Sequence, residues 1–312
     1  MRTVLITTAH GMFGGAILRA LRGRDDVHVR AMVHTRGPDD ADDDSVSWIE
    51  GDLDRPETIA PAVEGVTDVF VATPMDEHIA AREVAITDAV VAAGGGARIM
   101  KIHGAVDHAG DPLSRQHHTA IAHLQSSGLP WTLLSPSSVM ETSLLPYVGT
   151  VEMGSVFGMS GDGRVGLVAL SDVAAVGATA LTGDGFEGRD LVVTGPAALT
   201  MAEVCAAFSD VLGHEVTYFD LPEEKLADLL MKHGGFSDPE VLERTVLCHL
   251  RAWGRGGADR VTGTVEQVTG SPATPLRSWI EQHRDTFDHP RGARMRVMEW
   301  LTHLEYGRYA HR

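Results

Sequence analysis

Along the first 140 positions, short β-branched apolar runs alternate with stretches of helical spacing. The runs at residues 4–7, 27–33, 46–50, 68–72, 98–102 and 131–134 predict strands. Between them, Met12, Ile17, Leu18 and Leu21 recur at helical spacing, and further helices are predicted over 56–63, 79–93 and 113–126. Pro56 suits a first turn, and Gly94-Gly95-Gly96 suits a stop. Strands alternating with helices predict an α/β fold, a doubly wound parallel sheet covered on both faces.

After about residue 140 the rhythm changes. Strands are predicted at 165–170, 191–194 and 216–219. Ser171-Asp172 is expected to cap a helix over 173–181, and Thr200 with Glu203 has the spacing of a capping box. Residues 222–250 and 275–287 have a helical pattern; Met231, Phe236 and Trp253 in this part are expected in the core, with the lining of an apolar pocket as the alternative. The tail 295–312 predicts an amphipathic helix carrying Met295, Met298, Trp300, Leu301, Leu304 and Tyr306. Its stripe suits packing onto the body or onto a second copy, a homodimer through this helix. The acidic run 39–44 is expected to be a solvated turn. The change of rhythm divides the chain into 1–150 and an interleaved, mainly helical 151–312.

Composition narrows the function. The net charge of −17 argues against nucleic acid or an anionic membrane as main partner. No apolar run approaches 18 residues, and the first eleven residues lack a leader's basic-then-apolar layout. Two cysteines, Cys205 and Cys248, are too few for a disulfide framework. A cytoplasmic protein is expected. Only three lysines occur, Lys101, Lys225 and Lys232.

In a doubly wound sheet the turn after the first strand is the place for a pyrophosphate, because glycine admits its approach and a helix N-terminus favours its charge. That turn reads Thr7-Thr8-Ala9-His10-Gly11-Met12-Phe13-Gly14-Gly15. Gly11 and Gly14 keep half of a G-x-x-G-x-x-G fingerprint, while Thr8 occupies the first glycine's place. A β-branched residue fits poorly there if the turn needs positive φ.

The ordered motifs resemble the NmrA-like atypical short-chain dehydrogenase/reductase family. They include the opening turn, Gly51-Asp52-Leu53 with Pro56, Ala72-Thr73-Pro74, His117, Ser127-Gly128-Leu129-Pro130-Trp131-Thr132, Met140-Glu141, Ser171-Asp172-Val173-Ala174 and Thr194-Gly195-Pro196. The resemblance implies a Rossmann-like domain over 1–150 that binds NADP or NAD, and a smaller part that shapes the substrate site. It implies that Thr7, His10, Gly11, Met12, Phe13 and Gly14 surround the pyrophosphate. Asp52 and Leu53 would flank the adenine, Thr73 and Pro74 line the cleft, and His117 lie near the nicotinamide. After the second strand, His34 and Arg36 stand where coenzyme choice is set. Without an acid for a ribose hydroxyl, and with Arg36 for a 2′-phosphate, NADP is favoured over NAD. If Thr8 spoils the turn, no coenzyme binds.

Departures from the family pattern bear on the chemistry. Ser135 replaces an arginine before Pro136, Thr142 an asparagine, and His103 a serine. No tyrosine is followed four residues later by lysine, so the usual phenolate route is missing. His117 or His103 is then the best general acid. No G-x-S-x-G occurs, and the histidines at 103, 108, 117, 118 and 123 lack helical metal-ligand spacing, so no metal is expected. The favoured function is NADPH-dependent reduction of an apolar, aromatic or quinone-like molecule. The alternatives are a non-redox cyclase, dehydratase or lyase using histidine acid–base chemistry, and a dinucleotide-sensing regulator.

Overall fold

A computed structural model describes residues 1–37, 39–108, 111–288 and 293–311. Its main sheet has seven strands: β1 (Arg2–Ile6), β2 (Val27–Val33), β3 (Val46–Glu50), β4 (Asp68–Val71), β5 (Arg98–Ile102), β6 (Trp131–Pro136) and β8 (Arg189–Val193). The order is β3-β2-β1-β4-β5-β6-β8, and every pairing is parallel. The direction of strand addition reverses between β1 and β4, which opens a crevice at their carboxyl ends. The fold is thus the Rossmann-like α/β class that the pattern predicts.

Both faces are covered, so the strands are apolar on both sides. Val4 and Ile6 pack with Ile17, Val173 and Val176 from the helices Met12–Leu21 and Leu170–Thr182. Leu5, Val69 and Val71 pack on the other face with Ile86, Val90 and Leu124 from Ile79–Ala93 and Pro112–Ser126. Gly94 ends the former helix in a left-handed conformation, φ 70°.

The remaining strands form a small sheet in which β9 (Thr217–Asp220) pairs parallel with β7 (Ser155–Gly158) and antiparallel with β10 (Ala310–His311). The helix Met201–Leu212 lies against this part, and Phe208, Tyr218, Trp279 and Phe287 fill its core. Its N-terminus carries the predicted capping box between Thr200 and Glu203.

Several expectations are corrected. Residues 165–168 form no strand; Val165 and Val168 make single bridges to Leu199 and Val139. Their apolarity reflects burial, which an apolar run alone cannot assign to a ladder. Leu170 already opens the helix, with Ala169 as N-cap, so Ser171 and Asp172 sit inside it. The Asp172 carboxylate instead accepts from Thr274 N and Oγ1 at 2.7 and 2.9 Å, tying a distant loop down. The run 222–250 is broken: Glu223–His233 ends at Gly234, and Pro239–Leu242 restarts a helix that passes through a π-turn (Glu243–Leu247) into Cys248–Gly254. The stretch 275–287 splits at His283. The tail helix is Ala293–Tyr306; Met298, Leu301 and Leu304 face solvent, and Tyr306 packs edge-on against Phe157. The acidic run is not wholly solvated, because Asp40 is buried and accepts from His10 Nε2 at 2.9 Å.

Candidate active site

At the β1–β4 switch point a cavity of about 460 Å³ is lined by Thr7, Thr8, His10, Gly11, His34, Asp52, Leu53 and Pro74. The helix Met12–Leu21 opens onto this crevice with Gly11 as N-cap, no side-chain cap and no acidic residue in its first turn. Its pole is left for an anion. The close approach is enforced at Gly14, where a Cβ would lie 2.0 Å from the Thr8 carbonyl oxygen. Opposite, Arg82 is 8% exposed and clamps Asp54 (2.7 and 2.9 Å) and Asp76 (2.9 Å), joining the loops after β3 and β4. The residues present therefore fit a dinucleotide.

Thr8 does not spoil the turn. Neither Gly11, at φ −71°, nor Gly14 takes a positive φ. The Thr8 hydroxyl donates to Ala72 O at 3.3 Å, beside the Thr7 hydroxyl at 2.8 Å, and both pin the turn to the end of β4. Thr8→Gly is accordingly expected to leave coenzyme affinity unchanged or to lower it a few-fold, measured by fluorescence titration; tighter binding would contradict this.

Arg36 does not line this cavity. Its guanidinium donates to Asp40 O at 2.5 Å and to Asp42 Oδ1 at 3.3 Å, and its backbone N–H to Glu50 Oε1 at 3.0 Å. Gly14 also lies behind the surface, in contact with the turn rather than the cavity.

Adjoining the crevice is a second, largely apolar cavity of about 430 Å³ between the sheet and the C-terminal part. Met12, Phe13, Thr73, His103 and His117 line it, with Met75, Tyr147, Val246, Leu250 and Trp253. The two histidines expected to do chemistry thus meet, with ring centroids 6.1 Å apart.

Each histidine is backed by a polar chain. Lys101 Nζ lies 3.1 Å from His117 Nδ1 and 2.6 Å from Glu83 Oε2, a contact off the line of a directed hydrogen bond. Glu83 Oε1 accepts from the Thr73 hydroxyl at 3.1 Å. Lys101 and Glu83 side chains are only 2% and 4% exposed. Burial raises the Glu83 pKa and lowers that of Lys101, and each charge opposes the other's shift. An ammonium has no acceptor, so His117 Nδ1 accepts from it and the ring proton resides on Nε2. Burial, then the Lys101 charge, push His117 down to about 3. On the other side, His103 Nε2 lies 2.8 Å from Ser135 Oγ, which donates closely to Asp190 Oδ1. Ser135 therefore accepts the Nε2 proton of His103, which burial pushes down to about 4. Both rings are neutral at ordinary pH. Tyr147 offers no substitute: its hydroxyl donates to Phe157 O at 3.2 Å, and burial pushes its pKa up.

The sign of the pH dependence follows. An unfolded histidine takes up a proton below about pH 6.5, and these two folded rings resist until about 4 and 3. Stability from them is complete above pH 6.5 and falls on acidification, by up to ~1.4 kcal/mol per pH unit for each. Proton uptake on unfolding at pH 5.5 is expected to drop by about one in His117→Gln; an unchanged uptake would refute it.

The sequence missed the groups behind the histidines. Lys101 and Glu83 sit on elements whose patterns look wholly structural, and the Ser135–Asp190 link joins separate strands.

A parallel sheet whose order switches over an uncapped helix pole, beside an apolar cavity, is the frame of a Rossmann-type NAD(P)-binding protein. A family model for NAD(P)H-binding proteins matches residues 8–184. The chain belongs to that family, and its fold is shared with NmrA, a negative transcriptional regulator, in complex with NADP, at a TM-score of 0.69 and 19% identity over 98% of this chain and 99% of that one. It is 30% identical over 296 residues to a (4-alkanoyl-5-oxo-2,5-dihydrofuran-3-yl)methyl phosphate reductase from Streptomyces griseus, covering 91% of this chain and 99% of that protein. It is 29% identical to an NAD(P)H azoreductase from Xenophilus azovorans, with 91% and 99% covered. The crystal structure of an NADPH-dependent quinone oxidoreductase from Escherichia coli with NADPH superimposes with a TM-score of 0.80 at 23% identity, over 89% of this chain and 99% of that one. No described helix is long and apolar enough to cross a membrane, and Cys205 and Cys248 are both free thiols.

Proposed function

We propose that this protein reduces an uncharged, flat, apolar molecule of the quinone or azo type at the expense of NADPH. The observation that carries this is the cavity wall: mostly apolar side chains, the imidazoles of His103, His108, His117 and His249, and, among the described residues, no arginine or lysine to hold an anionic group. A phosphorylated substrate, such as the Streptomyces griseus relative's name specifies, meets no basic side chain among the described residues there.

Thr7, Thr8, His10, Gly11 and the helix pole hold the pyrophosphate; Asp52 and Leu53 border the adenine. Bound NADPH supplies a hydride to the electrophilic atom of the substrate. Met12, Phe13 and Trp253 exclude water around that atom. His117, neutral and protonated at Nε2, donates that proton to the substrate oxygen or nitrogen as negative charge develops. Lys101 passes a proton to Nδ1 and becomes a neutral amine; when Nε2 takes a proton from solvent after product leaves, the Nδ1 proton returns to the lysine, whose ammonium Glu83 holds in the resting state. His103, held by Ser135, fixes the opposite side of the cavity.

For the coenzyme, each carboxylate near Arg36 already has a partner: Asp40 takes His10 and Gly37 N, Glu50 takes Arg36 N. Neither of these two carboxylates lines the crevice. The exposed, long contact of Arg36 with Asp42 is one a 2′-phosphate displaces.

The test is steady-state oxidation of NADPH and NADH with quinone and azo acceptors. Turnover with NADPH is expected, and Arg36→Ala is expected to raise KM for NADPH about tenfold with little change for NADH. Turnover of any substrate without coenzyme, or tight NADPH binding with no oxidation by either acceptor class, would overturn the proposal in favour of a lyase or a sensor.

A further inference from the structure

A separate cluster occupies the wall of the substrate cavity away from the Lys101 chain. His108 follows β5, while Cys248 and His249 begin the helix after the π-turn. Their donor atoms, two imidazole nitrogens and a thiol sulfur, all lie within 4.8 Å of one another. The His108 and His249 rings meet edge-on, centroids 4.6 Å apart. The His108 side chain is 9% exposed and its Nδ1 makes no hydrogen bond; Asp111 Oδ2 stands 3.4 Å from it. Asp111 is itself fixed, because Oδ1 accepts from Ser114 N at 2.8 Å and caps a helix. The thiol makes only a local contact, donating to Arg244 O at 3.1 Å, four residues back.

A buried imidazole nitrogen without a hydrogen bond, as at His108 Nδ1, is costly unless something binds the group. Two imidazoles and a thiol suit a borderline-soft cation and not magnesium or calcium, which prefer oxygen. Three protein ligands, two of which line the cavity, leave a fourth position facing the substrate space, the arrangement of reactive zinc centres. A carboxylate against a ligating histidine is the usual means of holding such a ring.

We propose that His108, Cys248 and His249 bind one zinc-class divalent ion in the cavity wall, with Asp111 holding His108 in place and the open position turned toward the substrate. On binding, the Cys248 S–H bond breaks, its proton goes to solvent, and the sulfur's electron pair forms the metal bond; no electron transfer is involved. The site does not depend on the reductase proposal, since the ion is detected without substrate or coenzyme.

The test uses untagged, chelator-stripped full-length protein titrated with Co2+ alone and then with Zn2+. One equivalent of Co2+ is expected to give an intense near-ultraviolet thiolate-to-cobalt band that stoichiometric Zn2+ abolishes. Cys248→Ser is expected to lose that band and, like His249→Gln, to weaken Zn2+ binding by a hundredfold or more. Asp111→Asn, which keeps the helix cap, should weaken it about tenfold. His123→Gln, at an exposed site paired with Asp88, should change nothing. Absence of the thiolate band in the parent protein at stoichiometric Co2+ would overturn the proposal, and so would retention of tight Zn2+ binding in folded Cys248→Ser.

Discussion

Lys101→Met is expected to lower the unfolding free energy by about 3–5 kcal/mol, the usual cost of stranding one member of a buried ion pair. The carboxylate of Glu83, only 4% exposed, is left with the Thr73 hydroxyl alone. Adding Glu83→Gln removes the stranded charge and keeps an acceptor for Thr73, so the double variant should recover most of that stability. The rate should not recover. With no ammonium at His117 Nδ1, the imidazole has no source to replace the proton it gives up, and kcat is expected to stay roughly 100-fold below the parent. Urea denaturation of the four variants gives the first result and steady-state kinetics the second. A Lys101→Met protein as stable as its parent, or a double variant restored in both respects, would show that the chain is mere packing.

Gly14→Ala should be nearly as severe for a different reason. Its added Cβ falls 2.0 Å from the Thr8 carbonyl oxygen and 2.7 Å from the carbonyl carbon, and backbone cannot move aside as a side chain tip does. The helix start must retreat from the turn, which takes its amides away from the pyrophosphate. Coenzyme binding should weaken about 100-fold, equivalent to ~2.7 kcal/mol. Gly11→Ala is the matched control: its Cβ meets the same oxygen at 3.1 Å, so a shift of a few tenths of an ångström suffices and only a few-fold loss is expected. Isothermal titration with NADPH compares them, and equal losses at both positions would contradict the geometry.

The sheet was legible because its strands are buried on both faces and bounded by polar or glycine-containing turns; β2, β3 and β5 match the predicted limits. Legibility failed where an apolar stretch is buried outside any ladder, as at 165–168, at the two-residue β10 inside the expected tail helix, and at β7, a stretch given no element. The histidines facing the cavity were found because they follow strand ends or stand at a family position. Their partners were not, for a physical reason. Lys101 lies in a strand buried at all five residues, and Glu83 lies within a helix, so neither interrupts a pattern. Ser135 was noticed only as a departure; that it ties His103 to Asp190 depends on the β6–β8 register. His108 and the Cys248–His249 pair come from distant stretches, so spacing carried no sign of them. Trp253, expected as core, is both buried and part of the cavity wall.

The seventh strand of the main sheet, β8, is contributed by the second half of the chain, beyond the small strand β7. During synthesis, a nascent chain that has emerged only as far as β6 therefore displays an open ladder edge at residues 132–136, with no partner until residues 189–193 leave the ribosome. Cotranslational folding must then wait for the intervening segment, and a chain stalled in that interval is the species a chaperone would have to shield from edge-to-edge association.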